Sequence, residues 1–188
     1  MDDRRLKEYA LKIYNNVSGY SLQKAFTLFP KYYPKIAFYY SELITKKQEE
    51  LSTRMIQSLG IDKARTLINE LDNLSARTSK FYVNAKFKFD ESYRRLDAAT
   101  DEYDSKIIGQ EVMTTWVQIA KQTIDYTKKG DALLFKIRDE ARIYNFVSLE
   151  NEITNAIKSC DKIITELYEL DKKFLKYMEQ QYQYKELW

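Results

Sequence analysis

Apolar residues recur at intervals of three and four along most of the chain, the spacing of one face of an α-helix. The first such face predicts a helix over 3–18, which begins beside acidic residues and ends at Gly19. A short helical turn capped by Ser21 follows. Pro34 suits the first turn of the next predicted helix, which covers 35–59.

The longest apolar pattern is a heptad that runs from 62 to 108 with one slip in its register. Acid-to-base pairs four residues apart, such as Asp90 with Arg94, favour helix within it. We therefore predict a helix without a break near residue 100, about 70 Å long at ~1.5 Å per residue. A helix of that length predicts an elongated antiparallel bundle with at least one long, coiled-coil-like helix.

A second pattern competes with helix over 81–89. Phe81, Val83 and every second residue onward to Phe89 are apolar, which is the alternation of a half-buried strand. A strand needs a partner, and the other candidate, 143–149, is weaker and leads at once into a helix signal. We favour helix over 81–89 and keep a small hairpin-like sheet as the alternative.

The second half of the chain reads as further helices with short connections. An apolar face passes Gly109 and reaches two lysines followed by Gly130, which predicts a helix end there. Asp131 is the predicted start of another helix, and Ser148 the cap of a final long one.

Composition agrees with an all-α fold. Of 188 residues, 44% are hydrophobic and 31% charged, while Gly and Pro number 4 and 2. The chain can bury a core and lacks the turn residues of a β-architecture. We predict a single domain over 1–188, with an N-terminal helix and proline-bracketed turn in 1–33 and a helical bundle in 34–188.

Missing residue types exclude most catalytic chemistry. The chain has no His, which removes imidazole-dependent catalysis and the usual zinc, di-iron and haem sites. The glycines are isolated, so no phosphate-binding loop is possible, and Cys160 lies on an apolar helical face. Asp97, Asp101 and Asp104 share a helical spacing typical of a solvated face. We predict no enzyme, catalytic residue, cofactor or metal.

A single cysteine allows no internal disulfide, so the predicted location is intracellular, in the cytoplasm or in a virion. No uncharged stretch approaches the roughly 20 residues that a membrane span needs. Peripheral attachment of helix 3–18 to a membrane is a weaker hypothesis, because its apolar face is modest.

Aromatic residues are abundant, with 16 Tyr, 9 Phe and 2 Trp. Tyrosine suits partly wet interfaces because it joins an apolar ring to a polar tip. The leading hypothesis is therefore a non-enzymatic structural or assembly protein that associates with itself or with a helical partner. The predicted interface aromatics are Tyr32, Tyr33, Phe87, Tyr182 and Trp188.

Charge supports an alternative hypothesis. Residues 1–100 carry 18 basic and 12 acidic side chains, and residues 101–188 carry 13 and 16. Basic residues interleaved with rings are typical of sequence-tolerant nucleic-acid binding. The alternative is thus a DNA- or RNA-coating or packaging protein, of the virion coat or nucleoid type. Its predicted contacts are Lys31, Lys35, Lys86, Lys88, Arg94 and Arg95.

Overall fold

The chain is all-α across residues 1–182, the part that a computed structural model describes, with Tyr182 described by its backbone alone. The helices are α1 Asp3–Tyr14, α2 Leu22–Leu28, α3 Tyr33–Leu59, α4 Ile61–Ala98, α5 Glu102–Ile143 and α6 Val147–Tyr182, and a 3₁₀ turn, Pro30–Tyr32, joins α2 to α3. The predicted all-α class is confirmed. A long helix is present as well, but it is α5, which has 42 residues and extends about 60 Å at ~1.5 Å per residue, whereas the helix predicted over 62–108 is divided. Its coiled-coil-like packing stays a prediction.

Two predicted helix boundaries are wrong. The chain breaks after Ala98, because Ala99 adopts an extended conformation and the Asp101 side chain accepts from the backbone N–H of Asp104 at 2.7 Å, capping a new helix. Gly130, in contrast, lies inside α5 and ends nothing. A Cβ there would stand 2.6 Å from Oε1 of Gln48, so this glycine permits close packing of α3 on α5.

Other boundaries agree more closely with the prediction. The Ser21 side chain caps α2, and α3 ends before Gly60, as the spacing indicated. Helix α1 ends at Tyr14 instead of 18, where Asn16 takes a positive φ of 55°. The final helix begins at Val147, one residue before the predicted cap.

The long helices pass back and forth along one bundle. Gly60 alone joins α3 to α4, and its φ of 90° permits the tight reversal. Residues 99–101 join α4 to α5, and 144–146 join α5 to α6. Helix α5 packs against α3, α4 and α6, while α1 lies on α3, and α2 contacts α3 and α6. Among the described residues no helix has the length and apolar character to cross a membrane.

The interior has two apolar clusters. The cluster beneath α1 and α2 is rich in rings and is called the aromatic end; its largest buried members are Tyr33, Phe38, Phe89, Trp116 and Phe174. The cluster at the opposite end contains only aliphatic residues, Met and Cys, and is called the aliphatic end; its fully buried members include Met55, Leu134, Ile137 and Ile153.

A layer of buried polar residues separates the two clusters. Gln48 of α3 donates from Nε2 to the backbone oxygen of Thr127 at 3.2 Å and to Sγ of Cys160 at 3.3 Å. Thr78 of α4 lines a small cavity together with Gln48. Thr123 and Asp131, one turn before and one turn after Thr127 on α5, are also buried. We call this layer the polar belt. Cys160 is buried as predicted, and burial raises the pKa of its thiol.

The segment 81–89 is helical, so the strand alternative is wrong. In a strand Phe87 and Phe89 would share a face, but here Phe87 is 73% exposed and Phe89 is 1% exposed. Tyr82, which the alternating pattern assigned to the other face, is buried. Burial therefore follows the helical period.

Candidate functional site

The predicted nucleic-acid contacts beside the 3₁₀ turn are engaged in ion pairs. Lys31 Nζ lies 2.7 Å from Oδ1 of Asp97. Lys35 is 7% exposed, and its Nζ lies 2.9 Å from Asp90 and 3.2 Å from Asp3. Lys35 is therefore part of the interior of the aromatic end and presents almost no surface to a phosphate.

The Lys35 cluster also changes the titration of its acids. Desolvation by itself would raise the pKa of Asp3, but hydrogen bonds from Tyr39, Lys7 and Lys35 outweigh it and lower that pKa to about 2. The pKa of Asp90 is lowered in the same way, against desolvation, by hydrogen bonds from Lys86 and Lys35. These contacts fasten α1 and α3 to α4.

Three of the four predicted contacts on α4 are also paired with carboxylates. Lys86 lies 2.5 Å from Asp90, Arg94 lies 2.8 Å from Glu91 and Arg95 lies 2.5 Å from Glu111. Lys88 is exposed, and no carboxylate of the described chain lies within ion-pair distance of it.

Lys88 lies in a groove of ≈ 310 Å³ between α4 and α5, called the basic groove. Its lining combines cations, amides and rings and contains no Asp or Glu: Arg77, Lys80, Phe81, Asn84, Ala85, Lys88, Gln118, Ile119, Gln122 and Tyr126. Arg77, Lys80 and Lys88 follow one another at helical spacing along α4. Around this groove the structure brings together Lys88 and two cations that the predicted contact set omitted.

Two rings and three amides complete the basic groove. Phe81 of α4 and Tyr126 of α5 stand side by side, with centroids 5.2 Å apart. Gln118 and Gln122 lie one turn apart on α5 and are exposed, so their amides can donate to a phosphate. The spacing of basic residues within α4 could have indicated Arg77. The α5 residues of the groove could not be predicted locally, because they line it only where α5 pairs with α4.

The predicted interface aromatics differ in how exposed they are. Tyr33 is fully buried against Trp116 and Phe174, which removes it from the surface. Tyr32 stacks on Tyr93 with centroids 5.9 Å apart, and its hydroxyl donates to Asp97 at 3.1 Å. Phe87 is exposed on α4 beside Val83. The side chains of Tyr182 and Trp188 lie outside the described residues.

Five apolar side chains are exposed together at the tip of the aliphatic end. Ile61, Ile143 and Val147 are 71%, 67% and 64% exposed, and Tyr144 and Phe146 are also exposed. They belong to the two turns that meet at this tip, α3 to α4 and α5 to α6. We call them the apolar tip.

A lysine joins the two turns of the apolar tip. Lys63 Nζ lies 4.4 Å from the centroid of Tyr144 and 5.7 Å from that of Phe146. The sequence indicates 143–149 only as a weak strand candidate and gives no sign that Ile61 lies near it, because only the antiparallel arrangement brings the two turns together.

Comparison with protein-family models, with curated proteins and with solved structures finds no match.

Proposed function

We propose that the protein is a non-enzymatic assembly module that associates with a second copy of itself through the apolar tip. The observation that carries this proposal is the group of five exposed apolar side chains at one end of the bundle. Contiguous exposed apolar surface on a folded domain is typical of an interaction site. Two turns of defined geometry hold the tip, so little conformational entropy is lost on association.

Light scattering after size-exclusion chromatography tests this proposal. The unmodified protein should be a dimer or larger, and Ile143→Ser/Val147→Ser should shift it to monomer because the exposed apolar area is lost. The matched control is Val83→Ser/Phe87→Ser, which removes two equally exposed apolar residues from the side of α4. A monomeric parent, or dissociation by the control pair alone, would contradict the tip as the interface.

Nucleic-acid binding along the basic groove is the second candidate function, because the three cations on its α4 wall have no carboxylate neighbours in the lining. Cations that neutralise phosphates release counterions, so affinity should fall steeply with salt. Filter binding of single-stranded DNA should show this dependence. Lys80→Ala/Lys88→Ala should reduce the log-log salt slope by about 1.4, at ~0.7 for each phosphate contact on a single strand.

The matched control for nucleic-acid binding is Arg94→Ala/Arg95→Ala, which removes two cations of the same helix that already face carboxylates. This pair should change the slope by less than one. An equal change of the salt slope in both variants would mean that binding depends on the overall positive charge of the helix and not on the basic groove. Absence of binding at low salt would refute the candidate function.

A further inference from the structure

A second groove, of ≈ 690 Å³, lies between α5 and α6 at the aromatic end. Its lining residues are Trp116, Val117, Ala120, Lys121, Ile124, Tyr168, Asp171, Lys172, Leu175, Lys176 and Glu179. On α6 they span the twelve residues from Tyr168 to Glu179, or about 16 Å at ~1.5 Å per residue. This volume lies in the range of ~300–1,000 Å³ that is usual for organic ligands.

Two polar side chains are buried in the wall of this groove. Trp116 is 1% exposed, and its Nε1 has no hydrogen-bond partner within the described chain. Asp171 is 7% exposed and accepts from the Tyr33 hydroxyl at 3.2 Å. A hydrogen-bond acceptor that reaches this atom from the groove would supply the partner that the N–H lacks within the described chain.

The buried acid adds a donor and no negative charge at neutral pH. Burial raises the pKa of Asp171 to about 8, against the smaller, opposite effect of the Tyr33 hydrogen bond. A protonated carboxyl group can donate one hydrogen bond. The wall of the groove thus contains two hydrogen-bond donors, the N–H of Trp116 and the O–H of protonated Asp171, and both suit an oxygen acceptor.

The rim of the groove is cationic. Its lining has Lys121, Lys172 and Lys176, against Glu179 and the buried Asp171 as acidic residues. Lys172 Nζ lies 4.2 Å from the centroid of Tyr168 and 3.7 Å from Glu169. Between rim and wall the lining is apolar, with Val117, Ala120 and Leu175 among its members.

We propose that this groove binds an amphipathic organic anion, with the apolar body on α5 and Leu175 and the acidic head among Trp116 Nε1, Lys172 and Lys176. An alkyl chain would match the apolar lining, and anionic oxygens are the acceptors that the N–H group and the ammonium groups require. The arrangement disfavours a cationic amphiphile, because the three lysines would repel it. This site is separate from the apolar tip and the basic groove.

Dodecanoate is the test ligand, and dodecyltrimethylammonium is its cationic counterpart. The protein should carry Trp188→Phe, which leaves Trp116 as the sole tryptophan of the chain. Dodecanoate below its micellar concentration should change the Trp116 emission saturably, and calorimetry should give a 1:1 stoichiometry. The cationic amphiphile should bind at least about tenfold more weakly.

Paired lysine variants decide whether the rim is responsible. Lys172→Gln/Lys176→Gln should weaken dodecanoate binding about tenfold, because two charge-assisted contacts are lost. The matched control is Lys158→Gln/Lys162→Gln, at the same spacing on α6 but outside the groove, and it should leave affinity unchanged. Both pairs are exposed, so the fold should persist.

Three outcomes would overturn the proposal. The first is that dodecanoate shows no saturable binding at millimolar concentration. The second is that the cationic amphiphile binds with equal affinity, and the third is that both lysine pairs weaken dodecanoate binding equally. Trp116→Phe, which keeps an apolar ring and removes the N–H, should also weaken binding measured by calorimetry. Unchanged affinity in that variant would refute the role given to Nε1.

Discussion

The two ends of the bundle are filled by different kinds of side chain. At the aromatic end α1 and α2 form an extra layer over the long helices, and rings of α3, α4, α5 and α6 meet beneath it. At the aliphatic end branched residues, Met and Ala pack among the long helices without that layer. The comparison indicates that large rings fill the space between the long helices and the layer of α1 and α2. Each aromatic side chain buries about 150–250 Å² of surface, so few are needed to fill that space.

The ends also differ in how their charged groups are used. Lys35 at the aromatic end is nearly buried and joins helices through Asp3 and Asp90. At the aliphatic end the cross-helix pairs, Lys136 with Glu70 and Arg54 with Glu152, are exposed. Specific polar contacts are therefore concentrated at the aromatic end, whereas the aliphatic end depends on apolar burial.

Phe89→Ala should have the largest effect of the changes considered, lowering the free energy of unfolding by about 3–5 kcal/mol. Phe89 is 1% exposed, and its ring centroid lies within 5.9 Å of those of Phe38, Tyr93 and Trp116. Phe87→Ala, two residues away on the exposed face, should change it by less than about 0.5 kcal/mol. Urea unfolding followed by circular dichroism measures both.

Leu134→Ala provides the counterpart in the aliphatic end, where it should cost about 2–5 kcal/mol because Leu134 is fully buried. Both core variants should unfold in a single transition, since α3, α4, α5 and α6 run through both ends. A two-step unfolding curve for either variant would show that the two ends unfold separately. The ends would then be two cooperative units that differ in stability, and not two parts of one unit that differ in packing.

Periodicity predicted the helix faces well, because burial along a helix repeats in the sequence itself. In α4 and α6 buried residues recur at the three- and four-residue spacing of the sequence pattern, as in Leu67 with Leu71, Phe89 with Tyr93 and Ile153 with Ile157. The break at 99–101 was missed because acid-to-base pairs support helix on both sides of it and say nothing of the residues between. Tyr103, which lies within the heptad predicted over 62–108, is 73% exposed beyond the break.

The surfaces were less predictable than the helices, because they depend on which helices become neighbours. Nothing local distinguishes Lys35, which is buried among carboxylates from α1 and α4, from Lys88, which is exposed. Gly130 carries a sequence signal typical of a helix end, and only the approach of Gln48 explains its place inside α5.

Acidification should stabilise the folded protein through Asp131 of the polar belt, which lies beside Asp161. Burial, followed by the charge and hydrogen bond of Asp161, raises the pKa of Asp131 to about 7. In the unfolded chain an aspartate titrates near ~3.9, so between these values the folded state holds a proton that the unfolded state releases. Stability from Asp131 is complete below about pH 4 and is lost as pH rises through about 7.

Calorimetric melting at pH 5 and pH 8 measures this dependence. Asp131 should contribute about 2–3 kcal/mol more stability at pH 5 than at pH 8. Asp131→Asn keeps the shape without the titration, so its melting temperature should depend less on pH. Asp171, whose pKa burial also raises, leaves a residual dependence of the same sign in that variant. A slope equal to that of the parent would show that Asp131 does not titrate in this range.

Gly130→Ala should lower stability by about 1 kcal/mol. A new Cβ would meet Oε1 of Gln48 at 2.6 Å, and contacts with Thr127 and Cys160 hold that side chain in place. Overpacking of this kind costs about 1–3 kcal/mol, while alanine in a helix gains about 1 kcal/mol over glycine. In a Gln48→Ala background the overlap is gone, and the same change should become stabilising. A cost that persists there would place its origin elsewhere than in the α3–α5 contact.

The smallest expected effect concerns the exposed ion pair of the aliphatic end, Lys136 with Glu70. Its nitrogen and oxygen lie 2.6 Å apart, but the two side chains are 56% and 40% exposed, so water and salt screen the attraction. A double-mutant cycle with Lys136→Ala and Glu70→Ala should give a coupling energy of about 0.5 kcal/mol or less, and less still in 1 M salt. The same cycle on Lys35 and Asp90 should give a larger coupling, because the lysine is nearly buried and salt has little access to it. Equal coupling at both ends would mean that burial of Lys35 adds nothing to its ion pair, and the proposed difference between the ends would then rest on packing alone.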